Sequence, residues 1–260
     1  TALSDDNKCA IHTAFSSNEN WPYDWSDLCA AIVFQPQDLA ELQTAVDLWV
    51  DDNTTALANY GEINTWDVSL ITDMGSLFSW ESTFNNDIGD WDVSNVEDMG
   101  GMFYGASDFN QDLSSWDVSS VTDMGSMFYV AGNFNGDIST WDVSNVTIIG
   151  SMFTSANSFN QDISGWDVSN VWNMERVFNG AELFNQDIST WDVSNVTMMW
   201  QMFRNASEFD QELSTWDVSS VVNMGEMFKN AENFNGDISS WSVSNVEDMG
   251  GMFYGASDFN

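Results

Sequence analysis

Along most of this chain the apolar positions follow neither a helical period nor a long alternation. Between residues 88 and 109 they fall at Ile88, Trp91, Val93, Val96, Met99, Met102, Phe103, Ala106 and Phe109. Steps of two and three predict short extended segments joined by tight bends, with one side chain turned inward per step. The series then repeats. Tryptophan stands at Trp66, Trp91, Trp116, Trp141, Trp166, Trp191, Trp216 and Trp241, always 25 residues apart, with no insertion or deletion. So constant a spacing predicts that every unit is one equivalent coil of a stack, because an extra residue would break the register. A unit of 25 residues lies within the range of leucine-rich-repeat coils, and one coil alone cannot bury its apolar side. The expected fold is a β-rich solenoid of about eight leucine-rich-repeat-like coils, with the eight tryptophans as a core ladder. Strand pairing at about 4.8 Å would make it a rod of roughly 38 Å.

The first 60 residues read differently. Between Asp38 and Val50, the residues Leu39, Leu42, Val46, Trp49 and Val50 share a helical face, and Pro36 suits a helix start. A second short helix is expected near Asp27–Phe34. A terminal coil exposes the ends of apolar ladders and unpaired edges. Residues 1–60 are therefore expected to form an N-terminal helical cap, and residues 61–260 the repeat solenoid. Cys9 and Cys29 both fall in the cap, where a disulfide closing about 20 residues would contribute roughly 3 kcal/mol. Residues 244–260 repeat residues 94–110 without a change, and the array is expected to continue beyond Asn260.

Charge removes several function classes. Four Lys+Arg against 41 Asp+Glu give a net charge of −37, which excludes a nucleic-acid phosphate binder and disfavours an anionic membrane surface. At 43% apolar and 14% aromatic residues, the chain is nonetheless expected to fold. No apolar run approaches the eighteen or so residues of a membrane span, so no membrane insertion is expected. Four glycosylation sequons begin at Asn53, Asn145, Asn195 and Asn205. With the acidic balance, they predict an extracellular setting, secreted or at the cell surface. Asn53 and Asn205 read as the better acceptors, because Asn145 and Asn195 belong to a column whose side chains are expected to be engaged.

The unit FN-x-D-I-S-x-WDVSNVT-x-M-x-x-MF-x-x-A resembles the 25-residue repeat of BspA-like leucine-rich-repeat surface proteins, over about Asn59 to Asn260. The resemblance implies a secreted or surface-anchored protein with an adhesive role, and it brings no catalytic residues to transfer. The 1–60 segment lies outside it. Unit five departs from the pattern at Trp172, Glu175 and Arg176, and unit six at Met198, Met199 and Trp200. All six are expected to face outward and roughen one side.

Polar columns run beside the apolar ones. One follows the tryptophans, from Asp67 through Asp92, Asp117, Asp142, Asp167 and Asp192 to Asp217. A second holds Asp87, Asp112, Asp137, Asp162, Asp187, Glu212 and Asp237. Carboxylates at coil spacing repel by roughly 0.9 kcal/mol in water and about 3.5 kcal/mol at an effective dielectric of 20. Hydrogen bonds closing bends would satisfy them. Weak, diffuse calcium binding is the alternative, with Asp87, Asp112, Asp137, Asp162, Asp187 and Asp237 as candidates. Asn85, Asn110, Asn135, Asn160, Asn185, Asn235 and Asn260 are expected to form a side-chain amide ladder. No catalytic site is expected: the lone His12 sits in the cap, and acids recur at every coil with no pair marked out. The leading expectation is an extracellular structural or adhesive rod that self-associates end to end into a fibril or surface layer. The alternative is a binding module using one face for a glycan, a surface protein or calcium.

Overall fold

The computed structural model describes residues 33–260. Cys9, Cys29 and His12 lie outside that range, as does most of the helix expected near Asp27–Phe34. Its last two residues, Val33 and Phe34, are not helical. The chain enters α1 (Leu39–Asp51), then α2 (Asn53–Tyr60) and a short 3-10 turn (Ile63–Thr65). Asp38 caps α1 by accepting from the Glu41 N–H at 2.9 Å, and the Glu41 carboxylate accepts from the Gln37 N–H at 2.9 Å. One orphan donor of the first turn and the N–H just before the cap are thereby satisfied. The face buried is Leu42, Ala45, Val46 and Trp49. Trp49 meets the first repeat tryptophan, Trp66, edge-on at 5.8 Å, and donates its indole N–H to Asn86 at 3.1 Å. Gln43 donates to the Leu77 carbonyl at 3.1 Å. Through these contacts α1 covers the first coil.

The expectation of a β-rich solenoid is corrected. Among the described residues there is no β-strand, only single parallel bridges linking Asp73, Asp98, Asp123, Ile148, Asn173, Met198, Asn223 and Asp248 in turn. The coils are built of turns. In the second coil, six N–H groups fold back on the carbonyl three residues earlier: Val96, Met102, Tyr104, Ala106, Phe109 and Trp116, at 2.9–3.1 Å. The N–H groups between them reach forward instead. Those of Met99, Gly101, Phe103 and Gly105 donate to the carbonyls of Asp123, Gly125, Met127 and Tyr129 in the next coil, at 2.7–2.9 Å. A chain that spends every second donor on its own turn cannot run extended, so no ladder grows beyond one bridge.

This alternation needs two left-handed residues per coil. One column holds Ser76, Gly101, Ser126, Ser151, Arg176, Gln201, Glu226 and Gly251; the other holds Trp80, Gly105, Val130, Ser155, Gly180, Asn205, Asn230 and Gly255. All have φ between 54° and 80°. Most are not glycine, so the cross-coil bonds and the core offset the strain of about 1–2 kcal/mol at each such site.

Stacked side chains fill the interior. In the 25-residue series, the tryptophans from Trp66 to Trp216 are 2–4% exposed, and Trp241 is partly buried. Neighbouring indoles lie parallel at 6.3–6.5 Å. Each indole N–H from Trp91 onward reaches back to a backbone carbonyl of the preceding coil, as Trp116 does to Ile88 at 3.1 Å and Trp141 to Leu113 at 3.0 Å. A bulky polar-tipped ring can thus sit in a dry core with its donor satisfied. Two phenylalanine columns run alongside; Phe103 and Phe109 stack within one coil at 4.0 Å, and Phe103 meets Phe128 of the next at 5.5 Å. Met199, expected outside, is fully buried in the methionine column.

One charge at the cap junction works against folding. Glu81 stands where later coils carry Ala106, Ala131 and Ala156. Burial, and then the carboxylates of Asp47 and Asp51, hold its carboxyl above the usual range. A raised acid adds stability that is complete below its unfolded value, about 4.3, and lost as pH rises through the folded value. Glu81→Gln is therefore expected to melt higher than wild type at pH 7, with the gap closing below about pH 4. All other carboxylates are shared, so thermal melts of the two proteins at both pH values isolate this group.

Candidate functional site

The expected acidic columns are bend-closing devices. Asp92 and Asp117 each accept from the N–H of the serine two residues on at 3.1 Å and from its hydroxyl at 2.6 Å. Asp117, Asp142, Asp192 and Asp217 are held below the usual carboxylate range, first by that hydroxyl and then by the N–H. The calcium candidates behave alike: Asp87, Asp112, Asp137, Asp162, Asp187 and Asp237 accept from the N–H two residues on at 2.8–3.0 Å. Among the described residues, no three His, Cys, Asp or Glu side chains converge as a metal would need.

The asparagine column bonds the turns of adjacent coils as expected, but from side-chain amide to backbone rather than from amide to amide. Each Oδ1 accepts from the backbone N–H of its counterpart one coil on: Asn85 from Asn110, Asn110 from Asn135, Asn135 from Asn160, at 2.8–2.9 Å. Of the sequon asparagines, Asn145 and Asn195 donate to the carbonyls of Ser119 and Ser169 at 2.8 Å. Asn205 is half-buried and accepts from Asn230 at 2.9 Å. Asn53 is exposed at the first turn of α2.

A different face carries the exposed chemistry. The bridge residues, the glycines two places on and the first left-handed column together line a shallow trough of ≈ 560 Å³. Asp73, Asp98 and Asp123 form one wall, Gly75, Gly100, Gly125 and Gly150 the floor, and Ser76, Ser126 and Ser151 the other wall. Each aspartate turns Oδ1 onto a floor N–H at 2.7–2.8 Å. Beyond the serine wall lie aromatics. Tyr104 and Tyr129 stack at 4.5 Å, and Trp80 meets Tyr104 edge-on at 5.1 Å. Trp80 is 66% exposed, and its ring lies on Gly105 of the next coil, where an added Cβ would fall 2.5 Å from the indole. The absent side chain makes room for a platform with one face open.

Further along the rod, the same columns change character. Glu175 closes the trough. Trp200 occupies the floor position, and the Arg176 guanidinium lies over its ring at 4.3 Å. Gln201, 4% exposed, accepts from Arg176 at 3.0 Å and donates to Glu226 at 2.7 Å. Glu226 also holds Arg204 and Lys229, each at 2.8 Å, and Lys229 lies 5.7 Å from the Tyr254 ring. The hydrogen bonds from Lys229 and Gln201 hold the Glu226 carboxyl below the usual range.

Two stretches, residues 50–166 and 151–260, match the family model described as Mycoplasma protein of unknown function, DUF285. The chain belongs to the DUF285 family. No curated protein and no solved structure matches it. Within these DUF285 repeats the tryptophan, valine, phenylalanine and alanine columns are nearly constant, while the bridge, floor and left-handed columns and the one holding Ser79, Tyr104, Tyr129 and Arg204 vary from coil to coil. Reading outward changes unit by unit caught Glu175, Arg176 and Trp200 but missed that they share a face with Trp80, Tyr104 and Tyr129. The readable signal was the column: Arg176, Arg204 and Lys229, three of the four basic residues, all fall in those varying columns.

Proposed function

We propose that this chain is an extracellular adhesive rod that binds an extended partner along the face bearing the trough and the Trp80 platform. The observation that carries the reading is the chemistry exposed on that face: a trough lined by carboxylates, and beside it an indole 66% exposed. Repeat proteins place ligand sites on such extended surfaces. The extracellular assignment rests on the likeness to BspA-like surface proteins, the net charge of −37 and the four sequons. No reaction is assigned to the strip.

The test is retention of defined ligands by the immobilised chain, on arrays of glycans and of extended peptides, compared with Trp80→Ala/Tyr129→Ala and with Asp167→Asn on a different edge. At least one ligand held by wild type and by Asp167→Asn, and lost by the double variant, is the expected result. Retention of nothing, or equal retention by all three proteins, overturns the reading.

A further inference from the structure

The protein's own second half indicates what its first half takes. In the later coils, cations lie over rings and against a carboxylate in the varying columns: Arg176 over Trp200 at 4.3 Å, and Lys229 near Tyr254 at 5.7 Å while paired with Glu226 at 2.8 Å. The first coils offer the same partners, with Trp80, Tyr104 and Tyr129 as rings and Asp73, Asp98 and Asp123 as carboxylates. The three described basic residues all stand in the later coils. We propose that the trough and the Trp80 platform of the first coils hold an extended, basic polypeptide segment from a partner protein, with Arg or Lys side chains over the aromatic rings and beside the aspartates. The inference rests on the binding reading above and names its partner class.

Length and charge both fit. Coils joined by parallel bridges repeat at about 4.8 Å, so the four steps of the trough from Asp73 to Asn173 span about 19 Å, the reach of about six extended residues. Alternate side chains of such a segment recur at about 6.6 Å, so three or four of them face the five coils of the trough. A rod of net charge −37 steers a cationic segment in and repels acidic polymers and its own copies. The open face of Trp80 suits a guanidinium or ammonium. A neutral glycan gains nothing from the charge.

The probes are a labelled eight-residue Arg-Thr alternating peptide, its Glu-Thr counterpart, and a neutral linear glucan oligosaccharide, each titrated by fluorescence polarisation. Proteins are wild type, Trp80→Ala, Asp98→Asn/Asp123→Asn and Asp167→Asn/Asp192→Asn. At positions 98 and 123 the asparagines keep the bend, because Asn173 and Asn223 already accept the equivalent N–H at 2.8 Å, and the two double variants remove equal charge. The Arg-Thr peptide is expected to bind alone among the probes, and to weaken roughly tenfold in the first two variants and little in the last. Equal weakening in both double variants means diffuse attraction only and overturns the proposal. So does binding of the glucan but not the peptide, which leaves the adhesive reading standing if Trp80→Ala abolishes it. Binding of no probe overturns the proposal alone, because the wider arrays decide the adhesive reading separately.

Discussion

Replacing Trp141 by alanine is expected to cost about 3–5 kcal/mol of folding free energy. The indole is 3% exposed, lies between Trp116 at 6.4 Å and Trp166 at 6.3 Å, and touches Phe128. Its removal opens a cavity that neighbours held by cross-coil bonds cannot collapse into. It also removes one of the two donors to the Leu113 carbonyl, which keeps the Trp116 N–H at 3.1 Å, and Trp141→Phe separates that part, at about 0.5–1.5 kcal/mol for one hydrogen bond. Each coil leans only on its neighbours, so a weak coil in mid-rod is expected to split one cooperative urea transition into two. A shift of less than about 1 kcal/mol in Trp141→Ala would mean that the stacked indoles do not hold the coils together.

The second large effect belongs to backbone handedness. Gly105→Val is expected to destabilise by about 2–5 kcal/mol: about 1–2 from forcing an L side chain into φ 73°, and the rest from driving a branched side chain into the Trp80 ring. The converse is informative. Val130 holds φ 58° in the same column, where a β-branched residue is an outlier. Val130→Gly relieves that strain and loses some chain entropy, for a net gain of about 0.5–1 kcal/mol. Opposite signs at two equivalent positions, measured by denaturant midpoint, test the left-handed column directly. A loss of stability in Val130→Gly would count against it.

The repeat length and the identity of the columns were legible before any coordinates. Trp91, Val93, Val96, Met99, Met102, Phe103, Ala106 and Phe109 stand out from the polar residues between them and recur unit after unit, and these residues are buried. The helix over α1 was equally legible, because Leu42, Val46 and Trp49 keep the 3.6-residue period and Pro36 and Asp38 mark its start. The backbone conformation was not. Apolar steps of two and three suit an extended chain and a run of tight turns alike, and the strand reading chose the wrong one. The residue type that usually announces a left-handed turn is glycine, yet Ser126, Val130, Arg176 and Asn205 occupy those positions.

The candidate site followed the same division. Arg176 and Trp200 stood out as departures from the repeat, whereas Trp80, Tyr104 and Asp98 did not, and no spacing in a linear string shows that they lie on one strip. What the sequence determined by itself was the period, the set of columns that cannot stay in water, and the excess of negative charge. These are one-dimensional properties, carried by which side chains recur and how often. What the tertiary structure alone decided was how each coil divides its N–H groups between its own turns and the next coil. That choice sets the handedness of two residues per coil, removes the strands, and lays the exposed indole on Gly105, because only contact with a neighbouring coil can compensate so strained a path.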